Sequence, residues 1–337
     1  MKNKVQTELT HKIKILASMI GSIILFIYLF SKTDIHTIAN ILSQLSFPFF
    51  ALCLVMYTGI LILKTFRFRM LLTKDIPFAE LFKITASYNF LSNVMPLKSG
   101  EISYLLLTRK RGGLKTGERI VSWAASRIFD FISLGILFLM AVLAFPSNNL
   151  LINSVKVPLA IVVLAMITLL FLLITRGKWA LGMLKAVIRK TPFYKIKAAD
   201  YVLKRLRISV ESFSKLGAIV LFRVAVISIL IWALQALLLL ALFRSVNLGS
   251  LGIIQSIIVL VVLGFAVVIP LQGIANFGTY ETGIALPLIS FGIGQSSAVA
   301  YAVAVHTLSL MLFAITGILP LFLLLAEKKQ QQSLKAV

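Results

Sequence analysis

Glu101 and Glu281 each close a short run of proline, glycine and amide residues inside an otherwise apolar stretch. The first run contains Asn93, Pro96, Lys98, Gly100 and Glu101. The second contains Pro270, Gly273, Asn276, Gly278 and Glu281. Proline removes a backbone donor and ends the helix before it, and glycine permits conformations and close approaches that other residues resist. A helix restarting after such a break presents free N–H groups and a partial positive charge, which suits an anion such as phosphate. In hydrocarbon an open backbone is tolerated only where protein or a water-filled cavity surrounds it. One break alone reads as a proline-kinked helical hairpin. Two, at corresponding places in the two halves, point to a midplane substrate site.

Other ionisable residues lie within apolar segments, where such groups are expensive and a functional role is the default reading. Arg127 and Asp130 share a helix face at i, i+3 and can pair with each other, as a structural ion pair or as part of a site. Arg127 can alternatively reach Glu101. Lys98 sits in the first break. His306, inside the last apolar stretch, reads equally as a satisfied buried imidazole, a proton carrier or an anion ligand. Tyr88, Tyr104 and Tyr280 lie near the breaks and are candidates to line a cavity, and Arg223 reads as a snorkelling side chain. The chain has no GxxxxGK[ST] loop, no HExxH and no cysteine–histidine cluster, so neither nucleotide, metal nor another cofactor is implied. Cys53 lies in an apolar run and reads as a small buried side chain.

Apolar residues make up 59% of 337 positions, only 13% are charged, and the mean hydropathy is +0.99. These values exclude an ordinary soluble domain and indicate an all-α polytopic membrane protein. The formal charge of +23 would suggest nucleic acid in a soluble chain, but here the basic residues flank apolar spans and imply topology and anionic lipid instead. Six stretches are long enough to cross: 13–30, 47–63, 121–145, 157–175, 217–243 and 298–326. The broken stretches 81–108 and 252–291 lie between them. If each broken stretch enters and leaves by one face, all but Lys32, Lys156 and Arg244 of the 34 basic residues fall on the cytoplasmic side. Lys64, Arg67, Arg69 and Lys74 then form a cytoplasmic cluster, and both termini are inside.

That assignment divides the chain into halves of opposite orientation, an inverted-topology repeat. The first half is 1–145. The second is 146–326, with a cytoplasmic basic amphipathic segment at 176–215, and 327–337 is a cytoplasmic tail. The first run, 13–30, starts among four lysines, Lys2, Lys4, Lys12 and Lys14, but lacks a small-residue cleavage site, so it is expected to remain as a span.

With Gly112, Gly113 and Gly317 added to the two runs and to Arg127 and Asp130, the chain resembles the flippase-like integral membrane family related to the transmembrane domain of lysylphosphatidylglycerol synthases. The resemblance covers nearly the whole length. It implies re-entrant helices and movement of a phospholipid or lipid-linked headgroup between leaflets of the cell membrane. Bifunctional relatives carry a soluble domain that attaches lysine to phosphatidylglycerol. This chain ends at Val337, so that activity is expected to be absent. Many relatives carry arginine shortly after the first glutamate, where this chain has Tyr104 before Arg109, and arginine near the place of His306. Both departures lower the fixed positive charge near the cavity.

The leading expectation is a non-enzymatic lipid translocase whose partners are membrane lipids with an anionic or lipid-linked headgroup. All thirteen residues named in the two runs and at Arg127, Asp130 and His306 form its candidate substrate site. A non-transporting scaffold that docks a lipid-synthesising or envelope-building enzyme through 176–215 is the alternative. A lipid transferase ranks last, because the external loops offer few acids, Asp34 being the clearest.

Overall fold

The computed structural model describes residues 35–96, 99–109, 114–144, 217–266 and 273–333, together with single helical positions between 157 and 186. Its helices, in chain order, are α1 (Ile35–Ser43), α2 (Phe47–Leu71), α3 (Phe78–Val94), α4 (Glu101–Leu107), α5 (Thr116–Ala144), α6 (Ala218–Ser245), α7 (Ile253–Ala266), α8 (Thr279–Ser290) and α9 (Gln295–Ser333). No strand occurs among the described residues. Helices α2, α5, α6 and α9 are long and apolar enough to cross a membrane. The expected span at 13–30, most of that at 157–175, nearly all of 176–215, and Lys98, Gly112, Gly113 and Pro270 lie outside the described residues.

Helix α2 begins at Phe47 with Pro48 in its first turn, where a missing N–H costs nothing. It continues to Leu71, eight residues past the expected end of the span at 63. Lysine and arginine are good helix formers and no glycine or proline intervenes, so charge ends the hydropathy run without ending the helix. Arg69 then holds Asp75 in the turn to α3, with Nε to Oδ1 at 2.9 Å. The cluster expected at Lys64, Arg67, Arg69 and Lys74 is therefore divided by packing, with Arg69 exposed. Arg67 is only 2% exposed, inside the helix bundle.

Each broken stretch folds as a helical hairpin. Helix α3 is polar for a buried element, but its side chains bond to their own backbone. Thr85 donates to Leu81 O, Ser87 to Lys83 O, and Asn89 to Thr85 O. At the turn, Ser99 donates to Pro96 O through both its backbone N (3.0 Å) and its hydroxyl (2.7 Å). Gly100 then lies against the backbone of Leu91 and Ser92, where a Cβ would overlap the Leu91 carbonyl. In the second hairpin α7 and α8 pack closely, and a Cβ on Gly283 would stand 2.8 Å from Leu263 Cα.

The bundle has two distinct ends. At one, Ser46 N donates to Ser245 O (2.9 Å) and Asn247 Nδ2 to Gln44 O (2.8 Å), joining the start of α2 to the end of α6 beside α1. At the other, Leu71, Val121, Leu221 and Val224 form a buried cluster, so α2 runs antiparallel to α5 and α6. Lys83 meets Glu327 at 2.6 Å, which sets the start of α3 beside the late turns of α9. Between them α3 and α9 approach so closely that a Cβ on Gly317 would overlap Phe90. Phe49, Val55, Phe222, Leu230, Leu319 and Phe322 face outward and exposed, while Arg67, Asp130 and Glu281 are turned inward. This is the pattern expected when lipid is the solvent.

Candidate functional site

A cavity of about 660 Å³ lies between α2, α3, α4, α5, α6, α7, α8 and α9. Its wall carries Lys64, Asn89, Asn93, Glu101, Arg127 and Asp130, with the indoles of Trp123 and Trp232. Leu238, Leu239, Leu242, Leu260, Leu263 and Leu312 supply much of its apolar surface. Helix polarity puts the charged part toward the ends of α2 and the starts of α5 and α6. It puts Leu242 toward the opposite end. The space is therefore charged toward one end and apolar toward the other.

Arg67, Arg127, Glu101 and Asp130 form one connected network. Arg67 makes a two-pronged contact with Asp130, Nη1 to Oδ1 at 2.6 Å and Nη2 to Oδ2 at 3.2 Å, and also donates to Ser228 Oγ at 3.0 Å. Trp232 Nε1 donates to Asp130 Oδ1 at 3.0 Å. Arg127 stands 3.6 Å from Asp130 Oδ2 and 3.1 Å from Glu101 Oε2, so it takes both of the partners the sequence offered it. It also donates to the Tyr88 hydroxyl. Glu101, the first residue of α4, accepts from Tyr88 Oη (2.5 Å) and Trp123 Nε1 (2.9 Å). Planar guanidinium groups suit such forked carboxylate contacts. Burying either charge without its partners would be strongly unfavourable.

The two breaks meet. Asn276 Nδ2 donates to Asn93 O across a separation of 183 residues, at 3.1 Å. Asn93 bonds back to Asn89 O at 2.8 Å and also lines the cavity. In the second break the positive φ angles fall at Ala275, Asn276 and Gly278 (φ 84°), whereas Gly273 has an ordinary φ of −74°. Gly278 N donates to Glu281 Oε2 at 2.7 Å, so the carboxylate caps the start of α8. Its other oxygen meets His306 Nδ1 at 2.6 Å, and both side chains are 1% exposed. His306 lies parallel to the Tyr280 ring, with centroids 4.1 Å apart. Tyr280 and its partner Ser309 (Oη to Oγ, 3.0 Å) line the cavity, whereas Glu281 and His306 do not.

The residues singled out by sequence thus fall into two groups. Asn93, Glu101, Arg127 and Asp130 are on the cavity wall. Asn276, Gly278, Glu281 and His306 belong to the second turn, and Pro96 and Gly100 shape the first. Of the three tyrosines expected to line a cavity, only Tyr280 does: Tyr88 is buried behind the wall against Glu101 and Arg127, and Tyr104 departs further. It is fully buried, stacked on Phe68 at 4.4 Å and bonded to Ser122 Oγ at 2.8 Å, and is absent from the wall. Lys64, Arg67, Asn89, Trp123 and Trp232 were not singled out. The signal available was that Lys64 and Arg67 continue an unbroken helical run at i, i+3 spacing, and that Trp232 lies mid-span.

Fold and site define a multi-pass, all-helical membrane protein with an ionic cluster enclosed among its helices. The model of the lysylphosphatidylglycerol synthase TM region family matches residues 13–317, and the chain belongs to that family. No curated protein matches it. Family membership connects the protein with membrane lipid.

Proposed function

We propose that the protein is a flippase-like transporter that moves a phospholipid or lipid-linked headgroup between leaflets of the cytoplasmic membrane, without converting it chemically. The observation that carries this reading is the cavity, charged along Lys64, Glu101, Arg127 and Asp130 and lined with leucine elsewhere. A headgroup fits the first surface and acyl chains the second. In this reading both hairpins are re-entrant, six helices cross fully, the halves are related by inversion, and both termini are cytoplasmic. The contact between Asn276 and Asn93 couples the two turns, so that a change in one hairpin is felt by the other. Alternating access in inverted-repeat transporters works by such relative movement around a fixed site.

The test is reconstitution of purified protein in liposomes containing fluorescent headgroup-labelled phospholipids, with dithionite bleaching of the accessible leaflet. The expected result is faster loss of inner-leaflet protection, reduced by Arg127→Gln and by the double variant Pro96→Ala/Glu281→Gln. Unchanged protection for every lipid tried, with and without a proton gradient, would overturn the transport reading.

A further inference from the structure

Helix α6 presents a graded row of side chains to the cavity. Trp232, Gln235, Leu238, Leu239 and Leu242 all line it, at the three- and four-residue spacing of one helical face. Trp232 is tied to the ionic cluster through Asp130, and the leucines are apolar wall. Gln235 lies between them, about 4.5 Å along the axis from Trp232 at a rise of about 1.5 Å per residue. Its side-chain amide makes no hydrogen bond among the described residues, and its polar atoms remain accessible.

Tyr57 stands opposite. Ser46 N donates to Ser245 O, a Cβ on Gly59 would stand 3.7 Å from Leu234 Cδ2, and Arg67 donates to Ser228. These three pairs fix the register of α2 on α6 and bring Tyr57 level with Gln235. The Tyr57 ring is 5% exposed and packs on Phe313, with centroids 5.3 Å apart. Tyr57 lines the cavity, and its hydroxyl is accessible and has no hydrogen-bond partner among the described residues. The other hydroxyls on the wall are engaged: Tyr280 donates to Ser309, Ser309 to Val305 O, and Ser92 to Asn89 O. Asn89 and Asn93 bond back into α3. Two unpartnered polar groups therefore share one level, a helical turn from Trp232 and bordered by leucine on the other side. A polar group in an apolar enclosure is costly until something bonds to it.

We propose that Gln235 and Tyr57 form an uncharged subsite that holds the ester carbonyls of a diacyl glycerophospholipid and so favours ester-linked lipid. This rests on the reading of the cavity as a lipid site. The Gln235 amide has two N–H donors and the Tyr57 hydroxyl one, and an ester carbonyl accepts. In a glycerophospholipid the carbonyls follow the phosphate by one glycerol unit, with hydrocarbon beyond. That is the order of ionic cluster, Gln235 and leucines along the wall. An ether-linked lipid lacks the carbonyl, and in a polyprenyl phosphate hydrocarbon follows the phosphate directly. Either would leave Gln235 against hydrocarbon without a partner.

The wall also provides the reporter. Trp123 and Trp232 line the cavity, and the chain has three tryptophans, so Trp179→Phe leaves fluorescence from these two. The full chain with that substitution, in detergent, is titrated with diester and diether phosphatidylglycerols brominated at the same chain carbon. The headgroup is constant, so charge does not enter the comparison. The diester should half-saturate quenching at roughly three- to tenfold lower concentration, the range for a neutral hydrogen bond. Tyr57→Phe and Gln235→Met should each shrink that ratio, and the double variant should abolish the preference. Polyprenyl phosphate should displace the diester more readily from the double variant than from the parent. A single size-exclusion peak and saturable diether binding show that the fold persists. Tyr57→Phe removes one oxygen and carries the test by itself should Gln235→Met fail to fold.

Equal half-saturation by the two lipids in the parent, or an ester preference that survives both substitutions, would overturn the subsite. Quenching by neither lipid would overturn the subsite together with the lipid reading of the cavity. Ester-selective binding without movement between leaflets in liposomes would keep the subsite and remove the transport reading. Movement without ester preference would do the reverse.

Discussion

Replacing Asp130 by alanine removes both prongs from Arg67, a guanidinium only 2% exposed whose remaining partner in the described structure is the Ser228 hydroxyl. Breaking a buried pair from one side costs roughly 3–5 kcal/mol, because the surviving charge stays desolvated. The Ser228 contact and water in the cavity offset part of this, about 1 kcal/mol for a typical hydrogen bond. A loss of about 2–4 kcal/mol is therefore expected, roughly a 30- to 1,000-fold shift toward unfolded protein. Arg67→Met alone should also destabilise, because Asp130 is left with only Trp232 and the longer Arg127 contact. The double variant Arg67→Met/Asp130→Leu should recover much of the loss, since an apolar pair of similar volume replaces a buried ion pair at little cost. The assay is thermal unfolding of the four proteins in one detergent, followed by tryptophan fluorescence and size exclusion, and read as a double-mutant cycle. Full stability of Asp130→Ala, or a double variant no better than either single one, would refute the argument that this pair is mutually dependent in a poorly solvated place.

Further outcomes follow from the geometry. Gly100→Ala should disrupt the first hairpin and lower yield of folded protein, because its Cβ would strike the Leu91 backbone. Gly217→Ala, with nothing within 4 Å, is the internal control. Glu281→Gln should leave membrane insertion and size-exclusion behaviour intact but reduce lipid movement, and unchanged movement would remove this residue from the mechanism. Topology is testable because Cys53, the single cysteine, is fully buried. In a Cys53→Ser background, Gln44→Cys should react with an impermeant maleimide from outside, and Asp75→Cys only after permeabilisation. Labelling of both from outside would overturn the proposed orientation.

Helical character, the four apolar spans that fall among the described residues and the positions of both interruptions were legible in the chain, because each is a local property. A run of about 20 apolar residues is a span, and proline and glycine punctuate a helix wherever they occur. The first interruption, drawn from Asn93 to Glu101, coincides with the structural turn between Val94 and Glu101, and the second continues into α8 at Thr279. Family kinship was equally readable, since the order of those short patterns is itself linear information.

Which charges are buried, and with whom, was decided only by the tertiary structure. Lys64 and Arg67 look like the edge of a span because hydropathy counts their charge and ignores what stands opposite. Asp130 and Ser228, which make Arg67 tolerable in the interior, lie 63 and 161 residues away. Glu101 and Glu281 appear as equivalents along the chain, yet one anchors Arg127 on the cavity wall and the other caps a helix and holds His306. Spacing determines which residues share a helix face. Only packing determines what that face meets, and in a low-dielectric interior that meeting decides whether an ionisable group is a structural tie or part of a cavity wall.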